Sequence, residues 1–469
     1  MKYLLKFSIL LLVLSCSKPK SLPQHIEDEI ERRVDSEINP SVSIGFLNAD
    51  GTMRFYNYMH ADLEIQPDQN TLYEIGSITK TFTANLANQY LKEDMYKPVG
   101  DFFPSLQNKV LDSLSVQELK NHTSGVPRLS EGFSPEDWSD PFNGYNDESI
   151  YEDLESLKLT EKDQWAYSNL GYSILGKIIE NKTKSNFEKL MGALLDDAQM
   201  NKTFLSHKMA ETSHLVRPYN VGTENSYWHF TGPSRYAGGL ISCTADMLKY
   251  LKFQKENNPL FQTEEPEDLI QTNVPNLGDG KLFYADGWFV LKESQDNNIL
   301  LHNGGTGGFI SFVGFNLKTQ QGVVVLASGL EVIDDIGLSL IYPDFELNKP
   351  ERSIAYEIAN LIEEGKTEHL QKAYNKFLEK GQKEDILDIY WLERFHFGKS
   401  NYEVSHQLSD IMVEMLPDDW EVYDIKGQNL EKKGQYNKAI EAYQKAKSLN
   451  PDAVHLDKKI ERCFDQVNQ

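Results

Sequence analysis

Apolar and polar positions alternate over Val42-Ser43-Ile44-Gly45-Phe46-Leu47 and again over residues 53–58, with Asp50-Gly51 between them. Period-two alternation around an Asp-Gly turn predicts a β-hairpin. A helical stretch precedes it from about residue 25, and helical and loop-rich sequence dominates from residue 77 to about 250. Strand signals return at 287–291, 309–315 and 323–327. Strands at both sequence ends with helices between them predict one sheet closed by N- and C-terminal strands, an α+β layout. From residue 352 to the end the pattern is helical, with almost no strand signal.

Within that helical tail, residues 420–453 read as one unit carrying Tyr423, Gly427, Gly434, Tyr436, Ala439, Tyr443, Ala446 and Pro451. This resembles the tetratricopeptide (TPR) repeat, whose small and aromatic positions let two antiparallel helices nest. Tyr402 and Pro417 stand one period of 34 residues before Tyr436 and Pro451, which marks a degenerate copy over 386–419. A solenoid needs about three repeats to bury its faces. The third is sought in 354–381, where no clean register survives. The resemblance implies a protein partner for residues 352–469.

The first residues follow another pattern. Lys2 and Lys6 precede an apolar run over 7–14, too short to span a bilayer and suited to a secretory signal. The run ends in Val13-Leu14-Ser15-Cys16, which resembles a bacterial lipobox. That implies a signal peptide over 1–16, lipidation of Cys16, a polar tether over 17–24 and a membrane-anchored protein facing the periplasm or exterior. Cys243 and Cys463, the other two cysteines, read as small buried residues.

Composition narrows the function classes. Forty-seven basic against 71 acidic residues leave a net charge of −24 over 469 residues, which argues against nucleic acid as a partner. A 40% hydrophobic content is ordinary for a globular protein and excludes disorder and multi-span membrane architecture. No metal cluster, no cofactor motif and no P-loop stands out.

Three short motifs carry candidate chemistry. The first is Ser77-Ile78-Thr79-Lys80, where a helical pattern follows with Ile78, Phe82, Leu86 and Tyr90 on one face. Ser77 thus sits at a helix N-terminus with Lys80 one turn on and facing the same way. A serine hydroxyl is a weak nucleophile until a base takes its proton, and a partly buried lysine of lowered pKa can do so. Ser-x-x-Lys also occurs at Ser15 and Ser17, so context must choose. The second motif is Tyr167-Ser168-Asn169, the only Tyr-x-Asn in the chain. A tyrosine near a lysine can have its phenol pKa lowered and shuttle a proton, and an asparagine can hold the lysine and a substrate carbonyl. The third is His302-Asn303-Gly304-Gly305-Thr306-Gly307-Gly308-Phe309, a glycine run leading into a strand. Its glycines let backbone approach a ligand, and the Gly305 N–H is placed to share an oxyanion with that of Ser77. His396-Phe397-Gly398 also fits a basic-x-Gly template, but it falls in the helical tail and is set aside.

In this order the motifs resemble the active-site serine penicillin-recognising enzymes, in the branch of class C β-lactamases, D,D-carboxypeptidases and family VIII esterases. Asn121-His122-Thr123-Ser124-Gly125-Val126-Pro127 looks like a loop of that family, and Ala237-Gly238-Gly239-Leu240-Ile241-Ser242 with Asp246 like a later landmark. The resemblance covers about 25–345. It implies a β-lactamase/transpeptidase-like antiparallel sheet flanked by helices plus an all-helical subdomain, followed by the all-α TPR-type tail. By the same resemblance Ser77 is acylated, Lys80 is its proton partner and Tyr167 the general base. Asn169 then binds substrate, and His302 with Gly304 walls the cleft. His302-Asn303 replaces the lysine and threonine of class C enzymes, and a histidine is mostly neutral at pH 7. The expectation is therefore a serine hydrolase acting on an ester, amide or D-amino-acid peptide more readily than on a β-lactam. The alternative is a non-catalytic wall-peptide-binding or scaffold protein of the same fold.

Overall fold

The computed structural model describes residues 21–63, 66–130, 133, 135, 137–160, 162, 164–205, 214–274, 280–294 and 297–468. The expected signal peptide and Cys16 lie outside the described residues. Among those described, no helix is long and apolar enough to cross a membrane.

Eight strands form the main sheet: β1 (Ser41–Leu47), β2 (Met53–Met59), β3 (Ile270–Gln271), β4 (Leu282–Ala285), β5 (Trp288–Ser294), β6 (Asn297–Gly305), β7 (Phe309–Asn316) and β8 (Gln321–Ser328). Their order is β2-β1-β8-β7-β6-β5-β4-β3, antiparallel throughout. The closure predicted from the two sequence ends is the β1–β8 pairing, with Ile44 opposite Val325. The Asp50-Gly51 hairpin sets Ile44 opposite Tyr56.

Both faces of the sheet are covered, which explains the unbroken apolar run in β8. Val323, Val325 and Ala327 face one apolar cluster, Val324 and Leu326 the other. A strand buried on two sides has no polar face to alternate with. The first cluster packs under the helices Gln24–Asp35 and Asp334–Ile341; the second holds Thr79–Tyr90, Asn169–Thr183 and Thr244–Asn257.

Three strands differ from the sequence reading. β3 and β4 are two and four residues long, so their apolar signal is too brief to register. The glycine run at 302–305, expected as a loop before a strand, is itself the end of the nine-residue β6. Pairing with β7 from Ile299↔Asn316 to Gly305↔Ile310 holds it extended despite its glycines.

The tail consists of helix pairs. Ile354–Glu363 with Leu370–Glu379, Ile386–Gly398 with Tyr402–Met415, and Trp420–Lys432 with Tyr436–Leu449 follow one another, and His455–Val467 covers the end. The third pair shows why its spacing demands glycine: a Cβ on Gly427 would lie 2.4 Å from the Tyr443 ring.

One buried ionic cluster ties the first helix to the end of the sheet region. Arg33, fully buried, donates to Glu29 Oε1 at 2.8 Å, to both Asp335 oxygens and to the carbonyls of Val332 and Asn348 at 3.0 Å. Removing one partner of such a cluster leaves uncompensated buried charge, which typically costs about 3–5 kcal/mol. Arg33→Ala is therefore expected to lower unfolding stability by about that amount in urea titrations, and a loss below 1 kcal/mol would contradict the account.

Candidate active site

Ser77 occupies a single helical turn, Gly76–Ile78, that runs straight into the helix Thr79–Tyr90. Lys80, one turn on, is fully buried. Its Nζ donates to Ser77 Oγ at 3.1 Å and to the Ala237 carbonyl at 2.8 Å. Thr79 and Thr83 stitch the same helix to this segment: Thr79 Oγ1 accepts from Leu240 N–H at 3.1 Å, and Thr83 Oγ1 donates to Tyr236 O at 2.6 Å. Among the described residues no carboxylate comes within salt-bridge distance of Lys80. Burial, and next the charge of Arg128, hold its amine well below the ordinary lysine pKa.

Tyr167 enters from the loop before the helix Asn169–Thr183, whose N-cap is Ser168 with its Oγ accepting from Gly171 N–H at 2.8 Å. The Tyr167 ring lies 4.8 Å beneath Lys80 Nζ, and Arg128 stands 5.3 Å over the same ring. Burial pushes the phenol up to about 12, against a hydrogen bond with Ser77 and the charge of Arg128. The lowered phenol pKa expected from a neighbouring lysine is thus reversed. Desolvation of the phenolate outweighs both the Ser77 hydrogen bond and the Arg128 charge.

His122 fixes that loop. It adopts a left-handed backbone with φ of 60°, its Nδ1 accepts from Ser168 N–H at 3.1 Å, and its carbonyl accepts from Ala166 N–H at 2.8 Å. Its ring packs 4.6 Å from that of Tyr167. The sequence marked His122 as part of a landmark loop, without the positioning contact that the structure gives it.

The third motif is brought to Ser77 by close backbone approach. A Cβ on Gly304 would fall 2.1 Å from Ile75 O and 2.8 Å from Ser77 N, so β6 can pass this turn only as glycine. Gly76 has φ of +48°, and a Cβ there would meet the Gly305 amide at 2.8 Å. Gly305 and Thr306 line the cavity in front of Ser77, together with Asn169 and Arg128. His302 does not line it, contrary to expectation. It is fully buried, packs 5.3 Å from Phe289, and its Nδ1 lies 2.7 Å from Asn303 O. Burial and the charge of Lys80 push its pKa down to about 3, so it carries no charge at neutral pH. Gly304 likewise lies behind the Ser77 turn.

The cavity holds about 410 Å³. Arg128 is its one charged lining residue among those described, and the sequence reading passed over it although it directly follows Pro127. Trp228 lines the cavity, and its backbone N–H donates to Glu74 Oε1 at 2.9 Å; the His229 ring instead pairs with Asp140 at 2.7 Å.

A family model described as beta-lactamase matches residues 26–336, two thirds of the chain. The chain belongs to the beta-lactamase family. Residues 420–453 match the tetratricopeptide repeat, the span read from the sequence. Among solved structures, this beta-lactamase-family chain is similar to a class C beta-lactamase (TM-score 0.58, 21% identity, 70% of this chain and 97% of that one). It is also similar to the octameric penicillin-binding protein homologue from Pyrococcus abyssi (TM-score 0.59, 22% identity, 72% and 81%). These likenesses show the fold. In sequence it is 27% identical over 292 residues to Protein flp of Staphylococcus aureus strain MRSA252, covering 58% of this chain and 56% of that protein. It is 28% identical over 261 residues to a beta-lactamase of Providencia stuartii, covering 54% and 65%. The chain thus spans little more than half the length of the curated relatives it matches.

The glycine contacts yield a direct test. Gly304→Ala forces β6 off the Ser77 turn and is expected to cost about 1–3 kcal/mol, as overpacking does. In Gly305→Ala the new Cβ meets nothing nearer than 3.4 Å and unfolding should shift less. Equal shifts in urea titrations of the two variants would remove the close-approach argument.

Proposed function

We propose that this chain is a serine hydrolase working through an acyl-enzyme on Ser77, with esters as its preferred substrates. The observation that carries the reading is the buried, carboxylate-free Lys80 amine within 3.1 Å of Ser77 Oγ. A neutral lysine at this distance accepts the Ser77 proton as Oγ attacks a carbonyl carbon. The resulting ammonium is held by the Ala237 carbonyl and by the Tyr167 ring face. Negative charge on the carbonyl oxygen is received by the backbone N–H groups of Ser77 and Gly305.

With its phenol pKa near 12, Tyr167 is a proton donor at neutral pH. The resemblance implies Tyr167 as general base; on the reading proposed here Lys80 is the base and Tyr167 the acid. As the carbonyl–leaving-group bond breaks, Tyr167 gives its proton to the departing oxygen and recovers one from the Lys80 ammonium. The acyl group stays on Ser77 Oγ, Lys80 is neutral again, and water then follows the same route in reverse to release the acid.

Substrate preference follows from charge. Neutral, buried His302 supplies no cation at the third motif. Arg128, exposed at the cavity rim, is placed to meet an anionic substituent from another side. The lack of a cation at the third motif favours esters over β-lactams, whose carboxylate sits next to the scissile ring.

A fluorophosphonate probe should label the wild-type protein and not Ser77→Ala; equal labelling of both sinks the acyl-enzyme reading. The pH profile carries a sign. Lys80 must be unprotonated to act, so kcat/KM should rise with pH through a group titrating well below an ordinary lysine. Lys80→Arg keeps a permanent charge and should lose about 10²–10⁴-fold across the whole range. A falling profile, or an active arginine variant, contradicts Lys80 as base. Finally, p-nitrophenyl acetate should be turned over faster than nitrocefin, and the opposite order would overturn the ester preference.

A further inference from the structure

The cavity in front of Ser77 is not built by the hydrolase region alone. Tyr390 and Trp391, from the tail helix Ile386–Gly398, line it beside Ser77, Asn169 and Gly305. We infer that this helix completes an aromatic subsite of the active site, which takes an aryl group of the substrate next to the scissile carbonyl. That the occupant is a substrate rests on the hydrolase reading above; the subsite itself rests on geometry.

Aromatic side chains form a continuous wall from the hydrolase region into the tail. Phe142 stacks on Phe230 at 4.8 Å and 15°, Trp228 meets Phe142 at 5.6 Å, and Trp391 meets Trp228 at 6.0 Å. All four are half-buried, so each has one surface against protein and another available to the cavity. Offset and edge-to-face geometry among such rings is what an inserted aryl group can extend. Size agrees: a cavity of about 150 Å³ already holds benzene, whereas this one measures about 410 Å³.

The helix is also seated by contacts other than those of its two lining side chains. Lys399 Nζ donates to Ser226 Oγ at 3.0 Å, and the Arg394 guanidinium lies 5.7 Å over the Trp138 ring. A Cβ on Gly398 would fall 2.1 Å from Asp137 Oδ1, so the helix end abuts the 137–139 loop. The glycine set aside as a spurious basic-x-Gly match is therefore a docking position. Further along, Val221 from the hydrolase region enters the apolar cluster of the tail.

The test varies where the aryl group sits in a simple ester. Ethyl acetate has none, ethyl phenylacetate carries it on the acyl half, and phenyl acetate on the leaving half. For each, kcat/KM is measured for the full chain and for Trp391→Ala. The ratio of aryl ester to ethyl acetate should fall about tenfold for one of the two aryl esters, the scale of a lost apolar contact in a pocket; which one falls assigns the half. Trp391→Phe should restore most of the ratio, which a merely structural role would not require. Trp391→Leu, keeping apolar bulk without the ring, replaces the alanine variant should that unfold. Unchanged ratios for both aryl esters overturn the subsite.

A binding measurement separates this from the hydrolase reading. Isothermal titration of 4-phenylbutanamide into Ser77→Ala protein requires no turnover, and adding Trp391→Ala should weaken binding about fivefold or more, the scale of one lost aromatic contact. If wild-type protein cleaves none of the esters yet this binding depends on Trp391, the hydrolase reading falls and the subsite stands. If binding ignores Trp391, the subsite falls whatever the catalysis.

Discussion

An amine buried without a counter-charge is the constraint on which the site is built. Taking an ammonium out of water is penalised by several kcal/mol, which shifts a buried lysine toward its neutral form. Lys80 is such an amine: it has no exposure, a carbonyl and a hydroxyl as its partners, and burial followed by the charge of Arg128 lowering its pKa. The same desolvation then acts on every neighbour. It raises Tyr167 and lowers His122 and His302, so burial disfavours the charged form of each group around Ser77. Neutral groups can exchange one proton among themselves without moving net charge into or out of the interior.

These groups show what a sequence can and cannot reveal. Ser77 and Lys80 were legible as a pair because helix geometry alone puts positions three apart on one face. Tyr167-Ser168-Asn169 was legible as a motif at a helix start, and Ser168 is that helix's N-cap. The protonation state of Tyr167 was not legible, because it depends on the packing of His122 and Lys80, which lie far away in the chain. His302 illustrates the same limit. Its residue type announced a missing lysine, but only the pairing of β6 with β7 and the Phe289 ring show that it lies behind the cleft.

Fold elements divide along similar lines. The β1–β2 hairpin and the apolar run of β8 carry their burial pattern locally, one by alternation and one by its lack. β6 does not: it begins with two asparagines and ends with two glycines, and non-local pairing makes it a strand. The glycines that look like strand breakers are there because Ile75 and Ser77 occupy the space a side chain would need. The TPR repeat at 420–453 was readable since Gly427 and Tyr443 are complementary within one unit.

Contact between hydrolase region and tail changes how the second should be understood. A solenoid of helix pairs usually presents its faces to a partner, and here part of one face is already occupied by the chain's own cavity wall. No motif in the tail points to Tyr390 or Trp391, because an aromatic at helical spacing has the same local signature whether it packs in a core or lines a cleft. Their role is set by Gly398, Lys399 and Arg394, which bring the helix against the 137–139 loop and Ser226. The contacts around Ser77 and Lys80 come from the hydrolase region, whereas the cavity before them draws on that region and on one helix of the tail together.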